Sequence, residues 1–243
     1  MRAAEYHREE PMKRLIVLYR SAVGKKAVMA VSGIALFGFV LAHMAGNLKL
    51  YLGPESLNHY AEFLREMGSP LLPHGGALWI LRLGLIAAAV LHIVSATEVT
   101  LANRRARGHR YHRRATVEAT YASRTMRWGG VLILLFVLYH LAHFTFGPEW
   151  AHPDFVPGDV YHNVVAGFRV PWVSAFYIVA QVALGFHLYH GLWSMFQTLG
   201  WWKSAAPSDA GDGRRTFALV FALVITIGNI SFPLSVLAGL VGG

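Results

Sequence analysis

The sequence predicts an all-α integral membrane protein, a bundle of five transmembrane helices with its amino terminus in the cytoplasm. The chain is 55% hydrophobic and only 14% charged, with a mean hydropathy of +0.41, which is too apolar for a soluble domain of 243 residues. Five apolar runs are each long enough to cross a bilayer. We therefore expect a single transmembrane domain over residues 1–243, with spans at about residues 27–48, 77–101, 128–146, 171–199 and 216–240.

The composition also limits the chemistry that the chain can perform. It contains no cysteine, so it can form neither disulfides nor thiolate-ligated clusters, and a redox metal would need nitrogen or oxygen ligands. A formal charge of +9 raises the question of nucleic acid binding. The arginines, however, lie in short loops between spans rather than on a folded soluble face, so the basicity indicates membrane topology.

The first span follows a polar and basic segment, residues 1–20, which we expect to be a cytoplasmic extension. A cleaved signal peptide is the alternative. The apolar run after Lys26 is longer than the hydrophobic region of such a peptide, and no small-residue cleavage site ends it. We therefore expect a retained first helix.

The segment between the first and second spans predicts a short interfacial helix at residues 55–67. His59, Glu62 and Glu66 recur there at helical spacing and lie on one side. Prolines and glycines over residues 69–76 then break the chain before the second span.

The later spans differ in polarity. The second is the most polar, because it contains Arg82, His92 and Glu98. The last has no charge and no histidine, which is typical of a packing helix, and it tolerates Pro233 near its outer end.

Basic residues mark the cytoplasmic side. The loop after the second span is rich in arginine, which the positive-inside rule assigns to the cytoplasm. These residues are Arg104, Arg105, Arg107, Arg110, Arg113, Arg114, Arg124 and Arg127. The same side holds Lys25, Lys26, Lys203, Arg214 and Arg215. The opposite loops carry mainly acidic residues, so five spans are expected to put the carboxyl terminus outside.

Four of the five spans contain histidine, and their depths sort them into two pairs. Imidazole inside a membrane needs a hydrogen-bond partner or a metal. At 1.5 Å per residue, His43 and His140 lie about 24 and 20 Å from the cytoplasmic ends of their helices, in the outer half. His92 and His187 each lie roughly 15 residues from the outer ends of helices that run back, in the inner half. His143 and His190 follow on the third and fourth of these helices.

Two facing imidazoles with no carboxylate between them suit a haem with two axial histidines, so we expect two haems b. Glycines would let the porphyrins approach the helix backbones; they are Gly38, Gly46, Gly84, Gly185 and Gly191. Glycine faces in spans are, however, more often helix-packing seams.

Other interpretations remain open at this point. A single such histidine is more often a hydrogen-bonded bundle residue than a haem ligand. The His140/His143 and His187/His190 pairs would suit a dimetal site if a glutamate lay beside them, and none does. A proton-coupled transporter that uses the histidines as a relay would have helices broken at mid-membrane. A cytochrome b anchor of a hydrogenase or formate dehydrogenase is a further alternative.

Two stretches resemble a known family, the single-chain, five-helix, di-haem cytochrome b membrane-anchor subunit of succinate dehydrogenases and fumarate reductases, the succinate:quinone oxidoreductases of respiratory complex II. Ser21–Lys26 with Leu41-Ala42-His43-Met44-Ala45-Gly46-Asn47 is similar to that family's first helix. Residues 186–200, from Phe186-His187 through Gly191-Leu192-Trp193-Ser194, are similar to its fourth. The resemblance runs from Ser21 to the last span and leaves residues 1–20 outside.

The resemblance implies a multi-pass anchor in the cell's inner membrane that binds a flavoprotein subunit and an iron-sulfur subunit on the cytoplasmic side. Electrons from succinate would cross two haems b to a quinone, expected to be menaquinone. Whether the enzyme oxidises succinate or reduces fumarate stays open.

The resemblance also implies roles for individual residues. Matched by position, the axial ligands are His43, His92, His140 and His187. His92 with His187 would hold the inner haem, and His43 with His140 the outer one. Candidates for quinone or proton exchange at the outer side are His59, Glu62, Glu66 and His143. Candidates at the inner side are Ser21, Lys25, Ser32 and His190. The extra histidines His143 and His190 depart from the family pattern. On each of those two helices the ligand is therefore a choice between two neighbouring histidines.

Overall fold

The computed structural model describes residues 11–106, 117–200 and 213–243. The first ten residues, the middle of the arginine-rich loop and the segment with Lys203 lie outside the described residues. Within them the α-helices are α1 (Pro11–Arg20), α2 (Ala22–Asn47), α3 (Pro54–Glu66), α4 (Gly76–Arg105), α5 (Val117–Leu141), α6 (Val160–Phe168), α7 (Pro171–Leu199) and α8 (Gly213–Leu237).

Five of these helices are long and apolar enough to cross a membrane, so the predicted all-α, five-span fold class is confirmed. The spans are Ala22–Leu52, Gly76–Arg105, Met126–Phe146, Pro171–Phe196 and Gly213–Leu237. The first includes a 3-10 turn, Leu48–Leu52, and the third ends in a π-helical turn, Ala142–Phe146. The last helix ends at Leu237, before residue 240 where the apolar run predicted its end.

The first helices are joined by a tight cap at Ser21. Its side chain accepts a hydrogen bond from the Gly24 amide at 2.9 Å and donates to the Leu18 carbonyl at 2.7 Å. A serine oxygen at this position satisfies one of the unpaired amides of the first helical turn. Gly24 lies against the Leu18 backbone, where a side chain would collide. This corner fixes α1 against the start of α2.

The spans pack as neighbouring pairs. α2 lies along α4, α5 lies along α7, and α7 also packs along α8. α2 joins the pairs, because it contacts both α7 and α8. Several enclosed side chains of the larger core lie at the end of the bundle that contains α3 and α6; they are Leu50, Leu57, Phe168 and Val173.

The two short helices α3 and α6 form a cap over this end of the bundle. Asn58 of α3 donates to the Asp159 carboxylate at 2.9 Å, and its carbonyl oxygen accepts from the Tyr161 amide at 2.9 Å. Asp159 also caps α6 by accepting from the His162 amide at 2.9 Å. That amide, and then Asn58, hold the pKa of Asp159 below its ordinary value. The sequence did not predict α6, which lies in the 24-residue segment from Gly147 to Val170 between the third and fourth spans.

Candidate functional site

The four span histidines form two facing pairs. The ring centroids of His43 and His140 lie 5.8 Å apart with an interplanar angle of 86°. Those of His92 and His187 lie 6.3 Å apart at 68°. His43 of α2 faces His140 of α5, and His92 of α4 faces His187 of α7. The structure thus brings together the same partners that helix depth had paired.

The spacing of the rings fits one metal ion between each pair. A bond from a metal ion to an imidazole nitrogen is about 2 Å long. Two rings bound on opposite sides of one ion therefore have centroids about 6 Å apart. Both observed distances agree with that value, so the residues fit the haem iron that the resemblance implies.

The hydrogen bonds of two of these histidine rings also suit metal ligands. The Nδ1 of His92 donates to the Met29 carbonyl at 3.0 Å. The Nδ1 of His140 lies 3.3 Å from the hydroxyl of Tyr177. A ligating histidine normally uses its second ring nitrogen in this way, which leaves the other lone pair for a metal. The Nδ1 of His187 is buried without a hydrogen-bond partner in the described part of the chain, so this ring lacks the second-nitrogen contact that His92 and His140 make.

Glycines on neighbouring helices lie against the inner pair. A Cβ at Gly33 would lie 3.2 Å from the His92 ring, and one at Gly130 would lie 3.9 Å from the His187 ring. Neither glycine was among those singled out from the sequence. Among the glycines that the sequence had suggested, Gly38, Gly84 and Gly191 have no atom within 4 Å of an added Cβ.

The remaining two of those glycines, Gly46 and Gly185, lie against side chains of the protein itself. A Cβ at Gly46 would lie 2.7 Å from the Tyr60 ring, and one at Gly185 would collide with Thr226 of α8. At both positions the helix backbone is approached by a side chain of the protein itself, as is usual in membrane helix seams.

The neighbouring histidines have different surroundings. His143 is 1% exposed, and its Nδ1 lies 2.9 Å from the Tyr177 hydroxyl. Its ring lies 4.8 Å from that of the buried His152. Sequence reasoning missed both Tyr177 and His152; a polar ring within the apolar start of α7 was the available signal for Tyr177. On α7, His190 lies beside Tyr189, and its Nδ1 is buried without a partner among the described residues.

The outer acidic candidates lie on the exposed face of α3. Glu62 accepts a hydrogen bond from Arg65 at 2.8 Å and lies 3.0 Å from the His74 ring nitrogen. The contact with His74, and then that with Arg65, hold the pKa of Glu62 below its ordinary value. The stabilisation they give is present at neutral pH and is lost as the pH falls through that lowered pKa. Glu66 and His59 are exposed and have no side-chain hydrogen bond to another described residue.

Two of the inner-side candidates, Lys25 and Ser32, have structural partners. Lys25 forms an ion pair with Glu98 of α4 at 3.2 Å, and Tyr19 of α1 donates to the same carboxylate at 3.2 Å. Ser32 is buried, donates to the Val28 carbonyl at 2.7 Å and lies 3.4 Å from the His92 Nδ1. Ser32 therefore supports the His92 ring, and Lys25 ties α2 to α4. A role of either residue toward a quinone stays a prediction.

Comparison with known proteins adds one finding. Residues 100–227, more than half of the chain, match the model of the succinate dehydrogenase/fumarate reductase transmembrane subunit. The matched stretch carries His140 and His187, whereas His43 and His92 precede it. No curated protein and no solved structure matches the chain. By this match the chain is a multi-pass membrane protein that belongs to the family of succinate dehydrogenase/fumarate reductase transmembrane subunits.

Proposed function

We propose that the chain is the di-haem cytochrome b membrane anchor of a succinate:quinone oxidoreductase. In this role it carries electrons from the iron-sulfur subunit through two haems b to a quinone, menaquinone by resemblance. One observation carries the proposal: two pairs of histidine rings, 5.8 and 6.3 Å apart, lie within a bundle of the succinate dehydrogenase family.

The chain's residues hold and separate the two sites. His92 and His187 would bind the inner haem, with Ser32 and the Met29 carbonyl orienting the His92 ring. His43 and His140 would bind the outer haem, with His43 stacked on Phe39 at 5.3 Å. Bound haem supplies one-electron transfer, and the protein sets its potential through the ligands, their hydrogen bonds and nearby charge.

The cytoplasmic face is the proposed docking side for the flavoprotein and iron-sulfur subunits, with the amino terminus inside and the carboxyl terminus outside an inner membrane. Lys25, Lys26, Arg104 and Arg105 lie at the ends of α2 and α4 on this side. This orientation rests on the positive-inside rule.

Two observations argue against the alternatives. The spanning helices within the described residues are continuous at mid-membrane, whereas a relay transporter typically has helices broken there. Family membership argues against an anchor for a hydrogenase or formate dehydrogenase.

The test of the proposed function is the haem content of the purified complex. We expect two low-spin b-type haems per chain in a pyridine haemochrome assay. The inner haem should have the higher potential, because positive charge at the cytoplasmic end favours the reduced state and the acidic outer loops oppose it. One haem or none per chain would refute the proposal.

At the outer side we propose that a carboxylate of α3 exchanges protons with the quinone. Glu66 is the better candidate, because Glu62 is held ionised by His74 and Arg65. We expect Glu66→Gln to slow quinone-linked turnover more than Glu62→Gln does, with haem content unchanged in both. Full turnover in the Glu62→Gln/Glu66→Gln double variant would exclude the role.

A further inference from the structure

One tyrosine hydroxyl lies between two histidines at the outer end of the bundle. The Tyr177 oxygen is 3.3 Å from the Nδ1 of His140 and 2.9 Å from the Nδ1 of His143. Tyr177 and His143 are buried, at 5% and 1% exposure. At these distances the hydroxyl is a hydrogen-bond partner of both rings.

The ring of Tyr177 has little freedom to move. Its centroid lies 5.0 Å from that of Phe168 and 5.1 Å from that of Phe136, both edge to face. The second partner is equally fixed, since the His143 ring lies against Gly167 of α6, where a Cβ would be 2.7 Å from two ring atoms. The hydroxyl is therefore held in place from both sides.

The Tyr177 hydroxyl has one proton, so it can donate to only one of the two histidines and must accept from the other. If His140 binds the outer haem through Nε2, its Nδ1 carries a proton and donates to the Tyr177 oxygen. The Tyr177 proton is then free to donate to the Nδ1 of His143. The three groups form one directed chain in which only His140 has a ring nitrogen left for a metal on the side of His43.

We propose that Tyr177 is the positioning residue of the outer haem site: its hydroxyl fixes the ring plane and the tautomer of His140 and holds His143 away from the metal. This inference rests on the proposed function. It goes beyond it by assigning a residue that sets the properties of one haem only, because Tyr177 makes no contact with His92 or His187 among the described contacts.

The test is Tyr177→Phe in the purified complex, which removes one oxygen and keeps the ring. An acceptor at Nδ1 makes the imidazole a stronger donor and stabilises the ferric haem. We expect the outer haem's potential to shift upward and its ferric low-spin EPR signal to change, because that signal depends on the angle between the ligand planes. The inner haem should keep its potential and its signal, and both haems should remain bound.

Tyr139→Phe is the matched control. Tyr139 lies on the same helix as His140, one residue before it, and its buried hydroxyl has no hydrogen-bond partner among the described residues. Its removal should leave both potentials unchanged. The inference is overturned if Tyr177→Phe leaves the outer potential and EPR signal unchanged, or if Tyr139→Phe shifts them equally. Wild-type complex with fewer than two haems would instead refute the proposed function, so the two failures are distinguishable.

Discussion

Replacing His187 with alanine is expected to remove the inner haem from the purified complex, whereas His190→Ala should leave both haems bound. The His187 ring faces His92 at 6.3 Å, whereas the His190 ring lies against Tyr189 at 5.0 Å. Three residues along a helix turn a side chain by about 300° and move it about 4.5 Å, so the two rings cannot serve the same position. Pyridine haemochrome assays and redox titration of each variant would measure the loss.

For the outer haem we expect the same difference between His140 and its neighbour His143. His140→Ala should lose the outer haem, and His143→Ala should retain it, since the His143 ring is enclosed by Tyr177, Gly167 and His152. Retention of both haems in the His187 and His140 variants, with losses in those of His190 and His143, would reverse the assignment. Because each variant is compared with its neighbour on the same helix, a general folding defect would appear in both.

The pairing of the histidines was predictable because membrane spans are long and regular. Every residue of such a helix advances by the same rise, so a position in the sequence converts directly into a depth. His43 and His140 therefore matched, and so did His92 and His187, without knowledge of which helices are neighbours. The choice of His140 over His143 had depended partly on family resemblance; the structure adds the enclosure of His143.

The side-chain contacts between neighbouring helices could not be predicted in the same way. Depth says nothing about which side chain approaches a backbone, so Gly46 and Gly185 could not be distinguished from Gly38 and Gly191. The partners of Lys25 and His140 also lie on other helices, at Glu98 and Tyr177. These contacts depend on how each helix is rotated about its axis, which residue spacing does not determine. The contacts of Ser21, an inner-side candidate, were likewise not predicted: its side chain caps α2, and a role toward a quinone stays a prediction.

Gly185→Ala is expected to destabilise the bundle by about 1–3 kcal/mol, the usual cost of forcing an extra group into a packed contact. The added Cβ would collide with the Thr226 hydroxyl where α7 packs along α8. Threonine is stiff at χ1, so it has few ways to move aside. Gly185 lies two residues before His187, so a displaced α7 should also disturb the inner histidine pair.

The measurement is thermal unfolding of the detergent-purified complex, with Gly129→Ala of α5 as the matched control because an added Cβ there meets no atom within 4 Å. Gly129→Ala should unfold at or above the wild-type temperature, since alanine favours a helix more than glycine does. The Gly185→Ala/Thr226→Ala double variant should recover most of the loss, because the two changes act at one contact and are not additive. If Gly185→Ala unfolds at the temperature of the Gly129 variant, or if Thr226→Ala gives no recovery, the close approach of α7 and α8 at Gly185 is not what stabilises this seam.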